Sequence, residues 1–180
     1  MLHLICVRNA VLVHRIDAQL LGDNRISSTR IRHFLRTGDI SHANRLLGRE
    51  YSISGRVVRG NGNGRKWGFA TANVQMKIPK TALDGIFVVT VERREGSVRH
   101  GVASLGMRPT IGGTKKVLEV HLLDFDQDLY GERIKVNFLN KLRDELKFSS
   151  IEKMCEQVRL DILRTRDFFR DRDSQITICH

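Results

Sequence analysis

Between Tyr51 and Leu139 the chain runs almost wholly in period-two stretches, and this alternation limits what it can become. The stretches are Ile53–Val58, Gly68–Val74, Gly85–Glu92, Val98–Leu105, Val117–Phe125 and Arg133–Phe138, rich in valine, isoleucine, phenylalanine and threonine. Such residues suit a pleated surface half buried against a core, and glycine or polar turns divide the runs. Glu95-Gly96 closes an evident hairpin. Six short strands at this spacing predict a mainly β chain built on a six-stranded antiparallel barrel, whose closure removes exposed edges.

Helical signals flank this block. Ser27-Ser28-Thr29 offers hydroxyls for an N-cap before a helix Arg30–Arg36 that Gly38 can terminate. A second short helix follows, with Ser41 as its cap, Ala43, Leu46 and Leu47 as its apolar face and Gly48 at its end. The two read as a unit separate from the barrel, behind one or two short strands in residues 1–16 and a turn at Gly22-Asp23-Asn24. At the other end Ser149 and Glu152 form a capping box for a C-terminal helix. Its core-facing stripe is Ile151, Met154, Cys155, Val158, Ile162 and Leu163, and beyond Phe169 a polar tail is expected to fray. The expected divisions are residues 1–47, 48–170 and 171–180.

Charge narrows the partners. Lys and Arg number 31 against 20 Asp and Glu, a net charge of +11 that calls for an anionic partner: a nucleotide, a nucleic acid or an acidic surface. The excess lies in residues 1–148, whereas 149–180 hold six cations and six acids. No run of like charges marks a nucleic-acid arm. Cys6, Cys155 and Cys179 are odd in number and far apart, so neither a disulfide framework nor a metal knuckle is expected. Arg8 and His14 interrupt the apolar opening, and no apolar run approaches the roughly 20 residues that span a bilayer. A cytoplasmic protein is expected.

The richest chemical signal is Gly55 to Asn73, GRVVRGNGNGRKWGFATAN, with five glycines, Arg65 and Lys66 ahead of Ala70-Thr71-Ala72-Asn73. Glycines let backbone N–H groups approach an anion closely, and cations favour phosphate. Gly62, Asn63 and Gly64 equally suit a plain hairpin tip, and neither GxGxxG nor the Walker A pattern is present in its proper context. Thr71 and Asn73, two apart on a strand, share a face and offer a hydroxyl and an amide oxygen suited to Mg²⁺, or simply bond a turn. Glu119 lies within an apolar strand, with His121 and Leu123 on its face by alternation, pointing to solvent or into a barrel mouth. In a mouth it would suit general-base work. His121 reads as a satisfied surface group or a second polar group in the same cleft. Asp124, Asp126 and Asp128 read as a turn, since the glycine and late glutamate of a calcium loop are missing. Arg143, flanked by acids, reads as one half of a local ion pair.

Four motifs in order resemble the riboflavin kinase module of bacterial bifunctional riboflavin kinase/FMN adenylyltransferases, or FAD synthetases. They are the glycine-rich stretch through Asn73, GVASLGMRPT, LEVHLLDFDQDLYGE and LRDELKFSS, and the resemblance covers about residues 48–170. It implies a riboflavin-kinase-like barrel using ATP and Mg²⁺ to convert riboflavin to FMN. Thr71 and Asn73 would bind Mg²⁺ and ATP phosphates, and Glu119 would activate the riboflavin 5′-hydroxyl. Gly62, Gly64, Arg65 and Gly68 would belong to the phosphate loop, the Asp126–Gly131 loop with Tyr130 would border the adenine, and Arg143 would lie near the flavin.

Two departures stand out. Ala70 occupies the place of the family's proline, and Ser104 the place of its usual asparagine. ISSTRIRHFLRTGDISHANRLLGR resembles the end of the adenylyltransferase domain, with Ser27, Ser28, Thr29, Ile31 and Arg32 matching a phosphate-holding motif at a helix N-terminus. The remainder of that domain is missing from these 180 residues, so adenylylation of FMN by this chain alone is not expected, and a separate adenylyltransferase portion stays open as a partner. Two alternatives stay open. A basic barrel can bind nucleic acid, though few aromatics are on hand to stack bases, and the Ala70 and Ser104 changes would suit an inactive flavin-binding remnant.

Overall fold

The alternating runs close on themselves. The structure, a computed structural model, describes residues 17, 19–22, 24–60, 64, 67–76, 81–110 and 113–178. A two-residue ribbon of β1 (Leu20–Leu21) and β2 (Asn24–Arg25) leads into α1 (Ser28–Thr37) and α2 (Ile40–Leu47). Six strands follow: β3 (Tyr51–Val58), β4 (Ala72–Met76), β5 (Gly85–Glu92), β6 (Val98–Thr110), β7 (Gly113–Leu122) and β8 (Arg133–Arg143). They form a closed barrel in the order β3-β4-β7-β6-β5-β8, every pair antiparallel. The expected strands in 1–16 fall outside the described residues.

Alternation decides what lies inside. Val57, Val74, Phe87, Val89, Val91, Ala103, Leu105, Leu118, Val120, Ile134, Val136 and Phe138 are all buried in one cluster, with Phe87 and Phe138 edge to face at 5.4 Å. Each large apolar side chain stabilises the fold by about 1.5–3 kcal/mol when fully buried. The interior is therefore packed solid, and polar chemistry belongs on the barrel's outer face and rims.

Strand ends differ from the sequence expectation where the backbone turns. β4 starts at Ala72 rather than Gly68, because Gly68 takes a positive φ of 83°. β7 ends at Leu122 rather than Phe125, since Asp124 adopts φ 52° and reverses the chain. The same Asp124 turn takes Leu123 out of alternation: it is buried, and its N–H donates to the His100 carbonyl.

The two N-terminal helices are not a separate unit in packing. Leu35, Ile40 and Ala43 belong to the barrel's own core cluster. Asn44 ties α2 to the sheet, donating to the Phe138 carbonyl at 3.0 Å and accepting from the Tyr51 N–H at 2.7 Å. Ser27 caps α1 by accepting from the Arg30 N–H, and Gly38 ends it in the left-handed conformation, as the sequence suggests. The cap of α2 is Asp39 rather than Ser41, because the Gly38 turn brings the Asp39 carboxylate onto the His42 N–H.

The C-terminal helix α3 (Ile151–Ile178) departs furthest from expectation. Its first-turn Lys153 N–H is accepted by Ser150, one residue later than the capping box predicts. Ile151 and Leu163, expected in the core, are 51% and 56% exposed. Met154, Cys155, Val158 and Ile162 are half buried, and the helix is buried most deeply at Asp161, Thr165 and Phe169, with Phe169 joining Val88 and Leu139 in a second apolar cluster on the outer face of β5 and β8. The polar tail stays helical to Ile178 rather than fraying after Phe169. A buried carboxylate explains the rotated face: Asp161, 2% exposed, accepts three hydrogen bonds from the Arg143 guanidinium and one from Gln157. Turning the apolar stripe inward would bury other residues but break this pair.

Removing one partner of a buried pair leaves the other charge uncompensated. Asp161→Ala is expected to lower stability by about 3–5 kcal/mol in urea unfolding, and a loss under about 1 kcal/mol, the scale of an exposed pair, would contradict the bracing role. A second prediction concerns acid. The Asn137 amide, then the Lys135 ammonium, hold the Glu92 carboxyl below its ordinary value. The folded-state value being the lower, this contact stabilises the fold above the carboxylate range and is lost as pH falls through it. Glu92→Gln should therefore flatten the fall in melting temperature below about pH 4.5, and an acid limb as steep as wild type would count against it.

Candidate active site

Strand register assembles the site. Across β4–β7 Asn73 pairs with Glu119, and across β6–β7 Ser104 pairs with Glu119 from the other side. Directly opposed residues point to the same side of a sheet. Leu118 and Val120 are fully buried inside the barrel, so Glu119 and its two partners project outward. The row continues from Ser104 to Ile86 and from Ile86 to Arg143. Glu119 thus lies neither in solvent nor in a barrel mouth but on the outer wall, its side chain 33% exposed.

Arg108, near the far end of β6, bridges this wall. Its Nη2 lies 3.8 Å from Glu119 Oε2 and donates to Ser104 Oγ at 3.4 Å, while Nη1 donates to Glu145 Oε1 at 2.7 Å. Glu145 in turn lies so close to Gly106 that any Cβ there would overlap its carboxylate. From sequence Arg108 is only one residue of the GVASLGMRPT motif, and nothing sets Glu145 apart. Their meeting depends on a loop that folds back across the barrel, which no local pattern reveals.

The glycine-rich connection joins β3 to β4 and packs on the Thr71–Asn73 pair. A Cβ at Gly60 would overlap the Asn73 amide, and one at Gly64 would overlap the Phe69 carbonyl and stand 3.2 Å from Thr71 Oγ1. Gly64 is therefore required by its close approach to backbone, and a side chain at Gly60 would displace the Asn73 amide. The Gly64 carbonyl accepts from the N–H groups of Trp67 and Phe69. Gly62 and Arg65 lie outside the described residues. Thr71 is exposed and Asn73 half buried, both offering oxygens beside a cradle that a side chain would fill. Hard oxygen donors of this kind fit Mg²⁺. Among the described residues no cluster of His, Cys, Asp or Glu forms a competing metal site.

A groove of about 340 Å³ lies beside Asn73 between β4 and β7, walled by Arg59, Gln75, Lys115 and Lys116. Lys116 is engaged with the Leu83 carbonyl at 2.5 Å, leaving Arg59 and Lys115 as its cationic rim. A larger cavity, about 670 Å³, opens between α3 and the start of β6, lined by His100, Asp124, Arg166 and Phe169. It holds none of the candidate residues, so chemistry rather than volume selects the smaller groove. Tyr130 is 46% exposed on the β7–β8 connection, its N–H held by Asp128 in a turn, with the Arg59 guanidinium 5.7 Å above its ring. It is the only large aromatic so exposed among the described residues.

One expected contact is corrected by geometry. Arg143 does not pair with its flanking acids. Its guanidinium is taken by Asp161 and the Asp144 carbonyl, and its side chain is 14% exposed. Asp144 pairs with Lys141, which holds its carboxyl below the usual range, and Glu145 pairs with Arg108. Arg143 thus braces the segment that carries Glu145. His121 is a satisfied group on the Glu119 face, its Nδ1 2.8 Å from the Ala70 carbonyl. Asp124 sits in a turn, as the sequence suggests, and forms a two-pronged pair with Arg166.

Comparison with known proteins gives the chain a family. The family model described as "Flavokinase: Riboflavin kinase" matches residues 47–169. A bifunctional riboflavin kinase/FMN adenylyltransferase of Haemophilus influenzae is 42% identical over 154 residues, 86% of this chain and 48% of that protein. The protein of the same name in Escherichia coli K12 is 42% identical over 148 residues, 82% of this chain and 47% of that one. The chain spans about half the length of these curated relatives. A solved structure described as a macrolide-efflux protein from Streptococcus pneumoniae superposes with TM-score 0.75 at 36% identity, covering 84% of this chain and 50% of that one. The fold is shared, whereas the transport name belongs to that protein. Among the described residues no helix is long and apolar enough to cross a membrane. With the family model matching more than half of its length, the chain belongs to the riboflavin kinase family.

Proposed function

We propose that this chain transfers the γ-phosphoryl group of ATP to the riboflavin 5′-hydroxyl, giving FMN and ADP. The observation that carries this reading is the cross-strand pair of Asn73 and Glu119, which puts an oxygen donor for a metal–phosphate group beside a carboxylate able to take a proton. Mg²⁺ held by Thr71 and Asn73 would neutralise charge between the β- and γ-phosphates. Gly62, Gly64, Arg65 and Gly68 would belong to the phosphate loop, and Arg59 and Lys115 add positive charge along the groove. Tyr130 borders the adenine. The flavin lies toward Arg108 and Glu145, on a wall that Arg143 braces.

Chemistry follows from placement. Glu119 accepts the 5′-hydroxyl proton as the O5′–Pγ bond forms and the bond from Pγ to the bridging oxygen breaks, its electrons leaving on ADP. Arg108, 3.8 Å from Glu119, balances the carboxylate before transfer and faces the transferred phosphoryl oxygens after it. Little covalent work falls to the protein, so orientation and fixed charge carry the rate.

Residues 1–47 are read as the end of an adenylyltransferase domain, residues 48–170 as the kinase and 171–180 as its tail, with a reaction in the cytoplasm. Support comes from the bifunctional names of the relatives and from the 154-residue match. Residues 170–180 are too few to account for its excess over 47–169, so it reaches into the segment before residue 47.

Incubation with riboflavin, ATP and Mg²⁺ should yield FMN on chromatography without FAD. Glu119→Gln should keep ATP affinity within about twofold while FMN formation falls by roughly a hundredfold to ten-thousandfold. Wild-type turnover in that variant would remove Glu119 from the mechanism.

A further inference from the structure

We propose that His121 is a positioning residue for the nucleotide side of the site: it holds the Ala70–Thr71 peptide so that Thr71 faces Asn73. This rests on the reading of Thr71 and Asn73 as the metal–phosphate pair. His121 and Glu119 are two apart on β7 and share its outer face. One strand therefore carries both the proposed base and the group that fixes the opposing loop.

The covalent geometry makes this specific. His121 Nδ1 lies 2.8 Å from the Ala70 carbonyl oxygen. That oxygen belongs to the planar Ala70–Thr71 peptide, so holding it also sets the direction of the Thr71 N–H. On the other side of Thr71 the chain enters the β4–β7 ladder at once, through Ala72 opposite Val120. Thr71 is thereby fixed at both flanks, with only its own φ, ψ and χ1 left to settle its hydroxyl. The His121-facing side of the loop is built as a latch. Phe69 meets the His121 ring edge-on at 6.3 Å, and the Arg159 guanidinium of α3 lies 5.9 Å over the Phe69 ring. Asp124, paired with Arg166 just beyond the end of β7, lies within electrostatic reach of His121.

Among the described residues, His121 is the side chain that bonds the Ala70 carbonyl. Ala70 and Thr71 are exposed, and Gly60, Gly64 and Gly68 precede them. Glycine-rich backbone has many alternative conformations, so an external contact is needed to select one. The Gly64 carbonyl orders the turn as far as Phe69, and His121 orders the next peptide.

The test uses three variants of the whole chain. His121→Asn keeps an N–H near the Nδ1 position, His121→Gln moves it away, and His121→Leu removes it. Loss of one such bond should raise the KM for MgATP by roughly threefold to tenfold in the Gln and Leu variants. The riboflavin KM should stay within about twofold, and Asn should restore the MgATP value to within about twofold of wild type. Trp67, the only tryptophan, sits in the loop and supplies a readout without substrate. Acrylamide quenching of its fluorescence should rise in Gln and Leu but not in Asn. Should Leu not fold, the Asn and Gln pair decides the matter. Equal quenching and equal MgATP KM in wild type and Gln would overturn the role, as would a rise in both KM values together in all variants. A wild-type chain that makes no FMN would defeat the kinase reading alone, and the Trp67 pattern would still decide whether His121 orders the loop.

Discussion

The register of β7 is the constraint on which the site depends. Leu118 and Val120 are fully buried, and the same alternation turns Glu119 and His121 outward. A slip of one residue would exchange the two sets, burying a carboxylate and exposing the core. The apolar interior of the barrel thus fixes the position of a polar group that it never touches. Because β7 lies between β4 and β6, that single register also brings Asn73 and Ser104 to either side of Glu119.

Beyond the barrel, three long-range ties hold the parts that the register alone would leave loose. Asn44 seats α2 against β3 and β8. Arg143 and Asp161 lock α3 to the end of β8, and the segment between them presents Glu145 to Arg108. His121 holds the end of the glycine-rich connection. Each joins a polar side chain to a partner distant in sequence, and each borders an edge of the same outer wall or the elements that brace it. The filled barrel supplies rigidity, whereas these contacts supply aim.

Much of this was legible in sequence, for physical reasons that also explain the misses. Strands reveal themselves because one face must be apolar, and all six runs became barrel strands. Thr71, Asn73 and Glu119 stood out as polar groups at strand positions, and the structure brings Asn73 and Glu119 into register. Strand ends were less visible, since Gly68 and Asp124 act through φ rather than polarity. The face of α3 was only partly legible because apolar periodicity ignores a buried ion pair: nothing local to Asp161 announces that Arg143 lies opposite it. Helices α1 and α2 were read as separate because their fit to Phe138 depends on a strand roughly ninety residues on. Arg108, Glu145 and Gly60 were missed for the same reason, each having a role only in its folded surroundings.

The central claim is that Asn73 and Glu119 act as one unit across the β4–β7 ladder. A double-mutant cycle on FMN formation, comparing Asn73→Ala, Glu119→Gln and the two combined, tests this most directly. Groups that serve one transition state lose most of their effect together, so the double variant should be little worse than the poorer single one. If the two losses multiply in full, Asn73 and Glu119 work independently and the account is contradicted.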